Sequence, residues 1–275
     1  MNKKIGLILA LVLVSLMMVG TVSAGLFDFL GGSNANQTAN DESTFIVGFD
    51  AEFPPYGYKD DNGSYTGYDL DLAKEVCERN NWTFKAQPID WDAKDAELDS
   101  GAIDCIWNGF TIDGRENDYL WSNPYFDNKQ IFVVKSGSGI EKIADLKGKT
   151  VETQKDSSAL AALNEGNKTI KDTFATLTEV ADYNTAFMDL ESGACDAVAM
   201  DIGVAEYDID NKNNSDDFTI LDEYITTEKY GIGFKKGNDA LKDQVQATLD
   251  EMFKDGTVLK IAEKYGISED ALIQP

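Results

Sequence analysis

Glu97-Leu98-Asp99-Ser100-Gly101-Ala102-Ile103-Asp104 is answered 92 residues later by Asp189-Leu190-Glu191-Ser192-Gly193-Ala194-Cys195-Asp196. In each copy the Ser-Gly pair closes a helix, because glycine takes the left-handed cap conformation without a Cβ penalty. A short apolar strand begins right after the aspartate. A design written twice predicts two lobes of like construction. The strands run out at Trp107-Asn108-Gly109-Phe110-Thr111 in the first copy and at Met200-Asp201 in the second. Ligands of open α/β sheets sit beyond the carboxyl ends of strands, so both tips are expected to wall a site.

Outward from these copies, strand patterns alternate with amphipathic helical ones, which is α/β order. A strand is expected at 45–49, a helix at 69–80, a strand at 83–87, a short helix ending at Ser100 and a strand at 103–107. Leu70, Ala73, Val76 and Cys77 share one stripe of the first helix while Asp71, Lys74, Glu75 and Glu78 face away, so it should pack on a sheet through that stripe. The middle region continues with a short helix at 143–146, a strand at 150–153 and helices at 157–164, 183–191 and 202–211. A strand at 230–234 and helices at 239–254 and 258–265 complete the expectation.

Lys3 and Lys4 precede an apolar run from Ile5 to Val19 and the small residues Val22-Ser23-Ala24, the pattern of an export signal peptide spanning 1–24 and cleaved after Ala24. The run is shorter than the roughly 20 apolar residues that cross a bilayer comfortably. An uncleaved anchor is the open alternative, because Leu26, Phe27, Phe29 and Leu30 carry apolar character past the cut and no cysteine follows to take a lipid. Residues 25–43 read as a flexible spacer. The expected location is extracytoplasmic, in a periplasm or outside the cell, with membrane tethering open.

The 275 residues carry 49 acids against 24 bases, a formal charge of −25, and no histidine. Such a surface makes nucleic acid a poor partner and keeps a protein soluble and monomeric. The lack of histidine removes Ser-His and Cys-His nucleophile pairs, histidine general bases and histidine metal ligands together. Cys77, Cys105 and Cys195 match no zinc spacing. Cys77 and Cys105 fall in the same predicted lobe and can pair, but each also suits a buried free thiol. No metal and no cofactor is expected. Asn-x-Ser/Thr acceptors at Asn36, Asn62, Asn81, Asn167 and Asn213 permit glycosylation, although chance explains most of them in so Asn-rich a chain.

Arg115 follows Thr111-Ile112-Asp113-Gly114 beyond the first strand tip, and its planar fork can take a carboxylate bidentately. A lone loop arginine is ordinarily solvated or salt-bridged. Gly109 and Thr111 raise the weight of this one, since the three together can hold an α-carboxylate and part of an ammonium group. Asp201 ends the matching strand, as a partner for that ammonium and as an N-cap for the helix after it. Ser157 and Ser158 start another helix, whose N–H groups can add to carboxylate binding. Phe53 and Trp91 lie off any helical stripe, where aromatic faces can sandwich an aliphatic or cationic side chain, with core packing as the default. Asp50 and Glu52 flank Phe53 and favour a polar or cationic ligand side chain.

Four motifs occur in order: Val47-Gly48-Phe49-Asp50-Ala51-Glu52-Phe53-Pro54-Pro55-Tyr56, then Gly67-Tyr68-Asp69-Leu70-Asp71-Leu72-Ala73, then Gly109-Phe110-Thr111 with Arg115, then Tyr230-Gly231-Ile232-Gly233-Phe234. With them the chain from about Phe45 to Gly266 resembles the family 3 extracellular solute-binding proteins of polar amino acid ABC importers. The resemblance implies an α/β, two-lobed periplasmic-binding-protein-like (type II) fold with two hinge strands. Lobe 1 would comprise residues 44–125 and 230–275, and lobe 2 residues 126–229. It implies that Arg115, Thr111 and Ser158 hold a ligand carboxylate, Gly109, Thr111 and Asp201 its ammonium, Phe53 and Trp91 its side chain, and Asp50 the far end. Gln154, Ser157 and Glu52 are secondary candidates. Asp156 stands where the family often has glycine, which bears on the loop after Gln154. The implied ligand is a free polar amino acid; Asp50 and Glu52 lean it toward lysine, arginine or histidine, with glutamine or cystine as alternatives. The implied partners are the transmembrane subunits of an ABC importer. The rival classes are a dehydratase of related fold, with Glu52 as acid or base, and a sensor module.

Overall fold

The computed structural model describes residues 43–166, 168–211 and 214–274, all within the unit Asp41–Pro275. The export segment 1–24, nearly all of the spacer 25–43 and the acceptors Asn36, Asn167 and Asn213 lie outside the described residues. No helix among the described residues is long and apolar enough to cross a membrane.

Two five-stranded sheets are built to one plan. The first runs Thr83–Pro88, Thr44–Phe49, Cys105–Ile106, Gly233–Phe234, Leu120–Trp121, and the second Thr176–Val180, Thr150–Gln154, Ala197–Asp201, Phe126–Lys135, Phe218–Tyr230. In both, three parallel strands are followed by a fourth that runs against its neighbours on either side. A small third sheet joins Glu52–Phe53, Gly57–Lys59 and Tyr65–Thr66.

The repeated octapeptide occupies the same place in each sheet and makes the same bonds. Its helices, Lys94–Ser100 and Tyr183–Ser192, end on Gly101 (φ 78°) and Gly193 (φ 84°), both left-handed. Asp104 then takes the N–H of Ile46 at 2.7 Å, and Asp196 takes the N–H of Thr150 at 2.9 Å. Each aspartate thus pins its own strand to the start of the strand beside it. As a result the ends of both sheets' central strands carry Asp50 and Gly109 on one side, Gln154 and Asp201 on the other.

The chain crosses between the sheets twice, side by side. Tyr125 N donates to Tyr230 O and Ser122 N to Ile232 O, both at 3.0 Å. An apolar core runs through the crossing, where Phe126 and Tyr230 stack at 5.5 Å with 12° between their planes. Smaller clusters fill each sheet's outer layer around Phe110 and Phe132. The molecule is therefore α/β and two-lobed, with paired hinge segments.

Several expected elements differ in detail. The strand at 230–234 is two: Tyr230 ends the 13-residue strand Phe218–Tyr230 of the second sheet, and Gly233–Phe234 pairs in the first. Glycine sits between them, where a Cβ on Gly231 would stand 2.7 Å from the Ile112 side chain and force it to shift. The strand at 103–107 is reduced to Cys105–Ile106, and the helix at 143–146 is a single tight turn. The helix at 157–164 is α-helical only over Ser158–Ala161 before widening. Strands Phe126–Lys135, Thr176–Val180 and most of Phe218–Tyr230 were not anticipated. All three cysteines are buried and free, so Cys77 and Cys105 form no disulfide.

Candidate functional site

The carboxyl ends of the two sheets face each other, and there Asp50, Phe53, Trp91, Gly109, Thr111, Arg115, Ser158 and Asp201 line one narrow cavity, with Gln154, Ser157 and Asn108. Glu52 is not brought in. It is exposed, and its carboxylate takes the Asn184 amide outside the cavity.

Each side chain is set by the strand or turn beneath it. Asp201 ends the strand Ala197–Asp201 and starts a helix, yet makes no capping bond. It turns sideways instead and accepts from Asn128 Nδ2 and Gln130 Nε2 at 2.7 Å and from the Tyr230 hydroxyl at 2.5 Å. Ser157 is the cap of its helix, taking the N–H of Leu160 at 3.1 Å. Ser158 donates to Glu228 at 3.2 Å and accepts from Gln130 at 2.8 Å.

Gly109 (φ 55°) sends its N–H inward to the buried Asp69 at 2.6 Å, which leaves its carbonyl as the group it can present. A Cβ there would lie 2.8 Å from the Phe53 ring, so glycine allows the aromatic wall to close. Trp91 stands edge-on to Phe110 at 5.4 Å. Arg115 lies 5.4 Å from the centre of the Phe110 ring and donates Nη2 to the carbonyl of Asp156 at 3.1 Å. Asp156 itself has φ 54°, the left-handed conformation that explains glycine at this place in the resembled family.

Three further contacts join the two strand-end clusters. Gln154 Nε2 donates to Asp50 Oδ2 at 2.6 Å, Lys155 pairs with Asp92 at 3.1 Å, and the buried Lys94 pairs with Asp156. In each case one partner follows a strand of the first sheet and the other follows Thr150–Gln154 of the second. Asp50 also takes the N–H of Glu52 at 2.9 Å, and its own N–H goes to Asn108 Oδ1 at 2.9 Å.

The cavity is lined by one cation, Arg115, and two acids, Asp50 and Asp201. Burial pushes the Asp50 carboxyl up to about 6 against the hydrogen bonds from Glu52 and Gln154. Burial and then the charge of Glu228 push Asp201 up to about 8. Among the described residues neither acid is ion-paired with a lysine or arginine, and a positive group beside either would relieve it. At the Asp50 end the cavity adjoins a wider surface hollow, also lined by Asp50 and Trp91, which carries Glu52, Asp90, Asp92, Glu97 and Asp182. Among the described residues no three His, Cys, Asp or Glu side chains are grouped to hold a metal ion.

Asn108, Gln130 and Glu228 were not singled out in the sequence. Asn108 sits inside the strand-tip motif that was, so position was its only signal. Gln130 and Glu228 belong to the two strands whose pattern was not read.

The chain matches the bacterial extracellular solute-binding proteins, family 3, over residues 45–268, and belongs to that family. It is 30% identical over 228 residues to an L-cystine-binding protein of Escherichia coli, covering 82% of this chain and 83% of that one. Its fold is similar to an ABC uptake transporter substrate-binding protein of Streptococcus pneumoniae with bound histidine, with a TM-score of 0.80 and 33% identity over 84% of this chain and 95% of that one. An ancestral arginine-binding protein bound to arginine matches with a TM-score of 0.75 and 37% identity, over 81% of this chain and 98% of the other.

Proposed function

We propose that this family 3 solute-binding protein captures a free basic α-amino acid outside the cytoplasm and delivers it to the transmembrane subunits of an ABC importer. The observation that carries the reading is the placement of charge in one cavity: Arg115 at one position, Asp201 at a second and buried Asp50 at a third. An α-carboxylate, an α-ammonium and a cationic side chain have that arrangement of signs. Trp91 and Phe53 supply apolar faces for the aliphatic stem between them. The acidic hollow beyond Asp50 extends the preference for positive charge outward.

Capture needs no chemistry, so we assign no catalytic step. In this reading residues 44–125 with 230–275 form one lobe and 126–229 the other. Arg115 comes from the first lobe and Asp201 from the second, so neither lobe alone satisfies both charges of the ligand. The ligand therefore selects the closed state. The closed outer surface, on a monomer, is what the importer would recognise, with the segment before Thr44 leaving or tethering the protein at the membrane. The likeness to a cystine-binding protein supports a second ligand of the same pattern, since the distal ammonium of cystine also suits Asp50.

A thermal-shift series against the common amino acids tests the reading, because a ligand that binds only the folded state raises the melting temperature. L-arginine, L-lysine or L-histidine is expected to give the largest shift. Arg115→Ala and Asp201→Ala are each expected to lose at least about 100-fold in affinity, as when one partner of a buried charge pair is removed. A shift with L-glutamine or L-cystine alone would keep capture and overturn the basic preference.

A further inference from the structure

This inference rests on the reading that the cavity receives an α-ammonium group. Behind the cavity wall, on the strand Phe218–Tyr230, Glu228 is only 4% exposed. Its Oε1 accepts from Thr111 Oγ1 at 3.0 Å, Asn128 Nδ2 at 2.8 Å, Gln130 Nε2 at 2.8 Å and Ser158 Oγ at 3.2 Å. Asp201 Oδ1 accepts from the same two amides at 2.7 Å. Two buried carboxylates thus lean on one pair of neutral NH₂ groups. Among the described residues, no lysine or arginine forms an ion pair with either of them. Burial, then the charge of Glu228, favour the protonated form of Asp201 where no counter-charge is at hand.

We propose that Asp201, hemmed in beside Glu228 with no counter-charge, holds a proton in the empty site and that the ligand's α-ammonium displaces it to solvent, so that capture releases a proton. Glu228 is a positioning residue here, acting through its neighbours. Thr111 gives its hydroxyl hydrogen to Glu228 and is left with lone pairs for the cavity, which suit an ammonium donor. The other groups near Asp201 do not supply the effect. The phenols of Tyr230, Tyr56 and Tyr183 are raised well above their ordinary range by burial and stay neutral. Arg115 and Asp50 line the same cavity as Asp201, and burial raises Asp50 less far, to about 6. The Asp201 carboxyl, at about 8, holds its proton at neutral pH.

Isothermal titration at about pH 7.5 in phosphate and in Tris reads the proton directly, because the buffers differ in ionisation enthalpy and linkage ties proton release to pH dependence. The probes are L-arginine, L-lysine, L-histidine, L-glutamine and L-cystine. The expected result is a buffer-dependent heat equal to most of one proton released, with affinity rising toward about tenfold per pH unit between roughly pH 6.5 and 7.5. Glu228→Gln is expected to bind with almost no proton release and a flat pH dependence. If that variant does not fold, the two buffers and the pH series on the unaltered protein still decide. Equal heats in both buffers would leave capture standing and overturn the proton release. Failure of every probe to bind would overturn capture and this inference with it.

Discussion

Asp156 shows how one residue can serve two ends. Its left-handed φ of 54° costs most side chains roughly 1–2 kcal/mol, less for aspartate and asparagine. It turns the carbonyl toward Arg115 and leaves the carboxylate to Lys94, whose side chain is 2% exposed. Asp156→Gly relieves the backbone but strands Lys94. We expect it to fold normally and to release bound amino acid faster, weakening affinity roughly tenfold, as stopped-flow dissociation would measure. Asp69 and Asp201 govern a second effect. Burial raises them to about 7 and about 8, above their unfolded values, so the folded form holds their protons more tightly. The stability they contribute is fully present below about pH 4 and is lost as pH rises through 7 and 8. The ligand-free melting temperature should therefore fall between about pH 5.5 and 8.5, with a shallower fall in Asp69→Asn. Calorimetric scans across that range check the sign. Arg115, Asp201 and Gly109 were legible in the sequence because each follows a strand tip. Glu228 was not, because a buried acid in a polar stretch looks like any solvated one.

At the scale of elements, the octapeptide repeat makes a paired prediction. Nothing stands within 4 Å of a Cβ built on Gly101 or Gly193, so only backbone conformation opposes a side chain there. Gly101→Ala and Gly193→Ala should each lower stability by about 1 kcal/mol. The two losses should add in the double variant, because the caps lie in different sheets; denaturant midpoints measure both. That repeat, the helices and the inner strands were legible from period and caps. The long strands Phe126–Lys135 and Phe218–Tyr230 were hidden by the site itself. Asn128 and Gln130 are buried at 3% and 0% exposure and Glu228 at 4%, yet all are polar, so the strands that carry them lose the apolar alternation by which a strand is read. The segment Asp222–Glu223 adds exposed acids beside a register shift.

For the whole molecule, a formal charge of −25 sets a background of self-repulsion that salt screens. Raising NaCl from about 10 mM to about 500 mM should raise the melting temperature of the ligand-free protein while slowing association with a cationic amino acid, and scanning calorimetry with stopped-flow mixing would read the two together. Against that background the proposed function turns on the cleft reading both charges of an α-amino acid at once, through Arg115 and Asp201. The most direct test is a calorimetric comparison of L-arginine with agmatine, which keeps the amine and the guanidinium and lacks only the carboxylate. Loss of the Arg115 partner should cost agmatine at least about 100-fold in affinity. Agmatine binding as tightly as L-arginine would contradict the claim.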